Sequence, residues 1–137
     1  MNHTLLIKTT KTTFELKREF NRIFPFLRIE FFKNPCVKGI GFTKDKLISR
    51  NESLGRIQSK PDNFEFHFDT TITVGEFETH FFKNFGLCVQ VFRKSGNVWL
   101  ETSKTDDWTL DQQNEEGEQL AKHFKIEKED PEEHDIY

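Results

Sequence analysis

Only two cysteines, Cys36 and Cys88, occur in the 137 residues of the chain. Two are too few to build a disulfide scaffold and fit a reducing compartment, so the expected location is the cytoplasm. No stretch approaches the roughly 20 consecutive apolar residues that a membrane span requires. After Met1 the first apolar run, Leu5 to Ile7, gives way to Lys8 and threonines, which is not the pattern of a secretory leader. Catalytic signatures are missing too. There is no G-x-S-x-G elbow, no G-x-x-x-x-G-K-S/T phosphate loop and no C-x-x-C pair, and Gly39-Ile40-Gly41 lacks the third glycine of a dinucleotide fingerprint. His3, His67, His80, His123 and His134 are scattered. Glu76 and His80 lie four apart, but no further ligand stands at a diagnostic spacing, so neither a metal nor a cofactor is implied. Asp106-Asp107 beside Trp108 reads as a capping feature before a helix, and no reaction class is favoured.

Phenylalanine, by contrast, is abundant at 16 residues, and this argues against disorder. The length suits one domain that buries roughly 70% of the surface its unfolded chain exposes. Along it, an approximate repeat is the most informative feature. A strand at Thr4 to Lys8 precedes a helix with Leu16, Phe20, Ile23 and Phe24 on one face, then the alternating Leu27 to Phe31. About sixty residues on, Phe64 to Phe68 alternates, a helix carries Phe77, Phe81, Phe82 and Phe85 on one face, and Leu87 to Val91 alternates again. Thr12 with Glu15 and Thr73 with Glu76 match the capping box, while Pro25 and Gly86 stop the two helices at matching places. Ile72 and Phe77 occupy the positions of a hydrophobic staple.

After the second unit, Phe92 to Val98 reads as a tight hairpin with Ser95-Gly96 as its turn. That register pairs Phe92 with Trp99 and places Gln90, Phe92, Lys94, Asn97, Trp99 and Glu101 on one face, against Val89, Val91, Val98 and Leu100 on the other. Thr109 to Gln112 caps a last helix that turns Leu110, Gly117, Leu120 and Phe124 to one side, with Gly117 a weak point of about 1 kcal/mol relative to alanine. The acidic stretch 125–137 reads as a disordered tail. Residues 34–62 carry little pattern beyond a short helix within Leu47 to Ile57. The expected architecture is a single α+β domain over 1–124, with pseudo-repeats at 1–33 and 64–94 and a C-terminal helix. Two strand–helix–strand units suggest a ferredoxin-like sandwich, with a β-grasp-like second half as the alternative.

Val74 to Gly117 carries FGL-x-VQVFRKSGN-x-WLET followed by TDDWTL-x-x-QN. It resembles a family of uncharacterised bacterial proteins, which implies a bacterial origin and no mechanism. The first half resembles an RNA-recognition motif more loosely. Lys38, Gly39, Gly41 and Phe42 match that fold's octamer, while Ile40, Thr43 and Asp45 depart from it and remove two stacking rings. This resemblance implies binding of single-stranded nucleic acid.

Charge is segregated as well. Residues 1–60 hold 13 Lys/Arg against 5 Asp/Glu, and residues 61–137 hold 7 against 18, balances of +8 and -11. Either the halves neutralise each other, within one fold or between molecules, or the basic half meets a polyanion. The expected role is non-catalytic binding of a protein or of a second copy, through Phe92, Arg93, Lys94 and Trp99 of the hairpin with Trp108 beside them. The alternative is single-stranded RNA or DNA binding through Arg28, Phe32, Lys38 and Phe42.

Overall fold

The computed structural model describes residues 1–34, 36 and 43–128. Each half of the chain runs strand, helix, two strands, helix. The first half contains β1 (Asn2–Ile7), α1 (Thr13–Ile23), β2 (Leu27–Phe32), β3 (Leu47–Ile48) and α2 (Leu54–Ile57). The second contains β4 (Phe64–Asp69), α3 (Val74–His80), β5 (Cys88–Ser95), β6 (Val98–Glu101) and α4 (Leu110–Lys128). The class is α+β with a C-terminal helix, as expected from the alternation of helical and strand periodicities. The patternless stretch 34–62 supplies β3 as well as a helix of one turn.

Local chemistry sets the helix starts. Thr12 Oγ1 accepts the Glu15 N–H at 3.2 Å while the Glu15 carboxylate accepts the Thr12 N–H at 3.1 Å. Thr73 and Glu76 repeat this at 3.2 and 3.4 Å, and Thr109 with Gln112 does so at 3.1 and 2.8 Å. Each pair satisfies two backbone donors that a helix start otherwise leaves open. A π-helical turn, Phe81–Phe85, prolongs α3, and Gly86 ends it in the left-handed conformation at φ 66°.

The strands divide between two sheets rather than sharing one ferredoxin-like sheet. β1 pairs antiparallel with β4, and the second sheet has the order β3-β2-β5-β6, all antiparallel. Its central pairing runs from Leu27↔Arg93 to Phe32↔Cys88. One core joins both sheets to α1 and α3: Leu5, Ile7, Phe66 and Phe68 from the first, Leu27, Ile29, Phe31, Val89 and Val91 from the second. Between them lie Leu16, Phe20, Phe77 and Phe81, with Phe20 to Phe77 at 5.3 Å and Phe66 to Phe77 at 5.5 Å between ring centroids. Equivalent backbone bonds close each half onto its own helix start. Thr13 donates to Glu52, Leu54 to Lys11 and Gly55 to Thr9, as Val74 does to Trp108, Leu110 to Ile72 and Asp111 to Thr70. Among the described residues no helix is long and apolar enough to cross a membrane.

Cys36 and Cys88 form a disulfide, with Cα atoms 5.9 Å apart. This corrects the expectation of two reduced thiols. Cys88 lies opposite Phe32, the last residue of β2, so the chain leaving β2 is still within reach of it four residues later. A sequence separation of 52 gives no sign of that proximity.

Gly117 also reverses its expected role. A Cβ there would stand 2.8 Å from Phe26 Cβ and 3.1 Å from the Phe26 carbonyl oxygen, so the helix lies against β2 only because glycine has no side chain. Gly117→Ala is expected to destabilise the fold by about 1–3 kcal/mol, the reverse of the gain that helix propensity alone gives. Urea unfolding of the two proteins measures the sign. Thiol titration of the unreduced chain should find no free thiol, and reduction should lower stability by about 2–4 kcal/mol by releasing the unfolded chain from its cross-link.

Candidate functional site

The β5–β6 hairpin turns at Gly96-Asn97, since Ser95 pairs with Val98 and Lys94 with Trp99. The expected Ser95-Gly96 turn is thus displaced by one residue. The cause is local. Gly96 is the hairpin's positive-φ residue, at 64°, and among the described residues no non-glycine residue has a positive φ, so the glycine belongs at the first central position of a type II′ turn. Moving the turn by one shifts each partner on β6 by two. Faces are therefore preserved, because side chains alternate with a period of two.

On the outer face, Arg28 of β2, Phe92 and Lys94 of β5 and Trp99 and Glu101 of β6 share one surface. Phe92 stands opposite Glu101 and diagonal to Trp99. The Arg28 guanidinium covers the Trp99 indole at 4.7 Å and meets the Glu30 carboxylate at 3.3 Å, and Lys17 pairs with the same carboxylate. The opposite face carries Arg93, Val98 and Leu100. There Arg93 lies 5.8 Å from the Trp108 ring and donates to Gln113 Oε1 at 3.0 Å. Gln113, fully buried, donates in turn to the Thr105 carbonyl at 2.9 Å and so ties the loop before α4 to the sheet. The structure thus brings Phe92, Lys94 and Trp99 together on one side of the hairpin and Arg93 with Trp108 on the other.

Of the residues expected to contact nucleic acid, Arg28 is the cation seated on Trp99, and Phe32 is buried at 5% exposure at the end of β2. Lys38 and Phe42, with the whole K-G-x-G-F segment, lie outside the described residues. His67 bonds Thr4 Oγ1 at 2.8 Å and the His80 ring lies tilted against Phe66, with ring centroids 4.7 Å apart. Among the described residues no three His, Cys, Asp or Glu side chains are grouped to hold a metal ion.

Three features of the site were not singled out from sequence. Val98 and Leu100 are 49% and 44% exposed, although their alternation matches the buried Val89 and Val91. They sit on the outermost strand of the sheet, and alternation reports which face a residue shares, not how far the covering helices reach. Trp108, Gln112, Glu115, Glu116 and Gln119 line a groove of about 280 Å³ along α4.

The third feature is Glu78. Its carboxylate accepts the Val91 N–H at 2.8 Å, while Thr102 takes the Val91 carbonyl through its N–H at 3.3 Å and its hydroxyl at 2.8 Å. Glu78 therefore stands in for the strand that β6 would have supplied one residue further on. No local motif announces it, because the acceptor and its donor come from different elements. Desolvation pushes its pKa up to about 8 against the opposing Val91 hydrogen bond, with Asp106 and Glu101 adding like-charge repulsion.

Unfolded, this carboxyl titrates near 4.5. Between 4.5 and about 8 the folded chain keeps a proton that the unfolded chain releases. Its contribution to stability is complete below the lower value and is lost as pH rises through the upper one. Glu78→Gln keeps an oxygen for the Val91 N–H. The variant's denaturation midpoint, measured from pH 5 to 9, should therefore fall less with rising pH than that of the parent, and parallel curves would contradict the assignment. No family model, curated protein or solved structure matches this chain, so its function is argued from this geometry.

Proposed function

We propose that the chain is a non-catalytic protein-binding module whose contact surface is the β5–β6 hairpin and its open edge. One observation carries this reading: β6 is an outermost strand that presents Val98 and Leu100 to solvent on one face and half-buried Trp99 on the other. Exposed edges with apolar side chains are surfaces that soluble proteins ordinarily blunt, and where they persist they serve to pair with another chain. Trp and Arg, the residue types favoured at binding hot spots, stand on both sides of the strand as Arg28–Trp99 and Arg93–Trp108.

The chain is read here as an internal repeat of one strand–helix–strand–strand–helix unit. In support, the same three backbone bonds recur in each half. Under that reading β3 and β6 are equivalent edges. The second is four residues long and the first two, which leaves β6 as the competent one. Nucleic-acid binding through the basic half has less support. Arg28 is already engaged by Glu30 and Trp99, and Phe32 offers no exposed ring to a base.

Selection of displayed peptides on the full chain tests the reading, with Leu100→Glu as the counter-target. Enriched sequences that bind the parent and lose the variant are expected. A selection that yields nothing dependent on Leu100, beside salt-sensitive capture of single-stranded RNA, would overturn it.

A further inference from the structure

We infer that the β6 edge takes a basic, extended peptide segment of another protein, added as a further strand beside Val98–Glu101, with its cationic side chains in the acidic groove along α4. This rests on the protein-binding reading and names its partner's chemistry.

Backbone parity provides the docking groups. In an antiparallel ladder, alternate residues direct both N–H and C=O toward the same neighbour. The Thr102 N–H bonds the Val91 carbonyl, and Ser95↔Val98 closes a two-residue turn, so Val98, Leu100 and Thr102 are spent on β5. Trp99 and Glu101 consequently direct their N–H and C=O groups outward from the sheet. These four groups are what an added strand would bond.

Side chains decide what kind of strand fits. Leu100 is the cross-strand partner of Arg93 and shares its face, so it projects toward the side on which Trp108 lies against Arg93. On α4, Gln112, Glu116 and Gln119 fall on one flank of the buried Gln113 and Gly117, and together with Trp108 and Glu115 they form the groove. Asn114, whose carboxamide accepts the Phe26 N–H at 2.9 Å, marks the opposite flank, toward β2. The groove flank is therefore the one toward β6.

The charge there is uncompensated. Glu115 and Glu116 in the groove, and Glu101 on the other face of β6, make no ion pair among the described residues, and residues 61–124 hold 12 acidic against 5 basic side chains. None of the side-chain ion pairs among the described residues joins the basic half to the acidic half; the one ion pair across them there is the terminal ammonium with Asp69 at 3.2 Å. The same charge disfavours a second copy in this position, because β6 against β6 would bring two acidic halves together. A segment alternating Lys or Arg with Val or Leu satisfies the backbone edge, lays the aliphatic stems of its cationic residues over Val98 and Leu100 with their charged ends toward the carboxylates, and sets its apolar residues beside Trp99 on the other face.

The test uses the full chain and an end-capped, fluorescein-labelled peptide, Lys-Val-Lys-Val-Lys-Val-Lys, in an anisotropy titration, with the Glu-for-Lys peptide as comparison. Saturable binding of the basic peptide is expected, at least about tenfold tighter than the acidic one and weaker as salt rises. Glu101→Pro removes one outward N–H and none of the bonds to β5, and should weaken binding by about tenfold. Glu115→Lys with Glu116→Lys should weaken it and abolish the salt dependence. Amide exchange at Trp99 and Glu101 should slow on adding the peptide, a readout that does not depend on any variant folding. Equal binding of both peptides, no binding of the basic one, or unchanged exchange at Trp99 and Glu101 each overturns the inference. If displayed peptides still require Leu100 in such a case, the protein-binding reading stands and only this partner chemistry fails.

Discussion

The pairing of β2 with β5 is the constraint on which the rest of the molecule depends. It joins the two halves through six consecutive residue pairs and fixes which side of each strand faces the core. With Leu27, Ile29 and Phe31 inward, Arg28 and Glu30 must face out, and Gln90, Phe92 and Lys94 follow because directly paired residues share a face. It also commits the even-numbered residues of β5 to β2, as the Lys94 N–H to the Phe26 carbonyl at 2.9 Å illustrates. Only the odd-numbered residues remain for β6. The position of every free group on the outer edge is a consequence of that division.

Much of this was legible in the sequence, and for identifiable reasons. Capping pairs such as Thr12–Glu15 and Thr73–Glu76 act over three residues, and the apolar stripes of α1 and α3 act over one or two turns. Neither depends on the distant chain. The hairpin was legible in part. Gly96 announced a turn, but its place within the turn depends on whether one or two residues take a positive φ, and Asn97 does not take one. What the sequence concealed depends on long-range approach. Gly117 reads as a weak helix residue until Phe26 is seen against it. Cys36 and Cys88 read as separate thiols until the end of β2 is placed beside the start of β5. Glu78 reads as an ordinary surface acid until Val91 is found to donate to it.

The charge segregation gains meaning from the same geometry. Opposite halves could have neutralised each other by direct contact, yet the pairs that form are local: Lys11 with Glu19, Lys17 and Arg28 with Glu30, and Arg50 and Arg56 with Glu52. Such pairs use the few acids of the basic half, and among the described residues Glu101, Glu115 and Glu116 form no ion pair. Exposed pairs contribute little to stability. The arrangement matters more for the field it leaves over the acidic half, where a cationic partner gains in encounter rate and orientation.

An open strand edge is also a hazard, since it can template uncontrolled association. Here the edge is closed off at one end by the Gly96-Asn97 turn. At the other, Glu78 and Thr102 occupy the Val91 N–H and carbonyl, so no longer ladder can be built against β5. What is left is two outward-facing residues, Trp99 and Glu101. Four backbone groups at about 1 kcal/mol of net gain each do not hold a partner against the entropy of association. Useful affinity at this edge must therefore come from side chains, Val98 and Leu100 by burial and the α4 carboxylates by charge. An edge too short to bind by backbone alone binds by sequence, and that separates a recognition surface from an aggregation site.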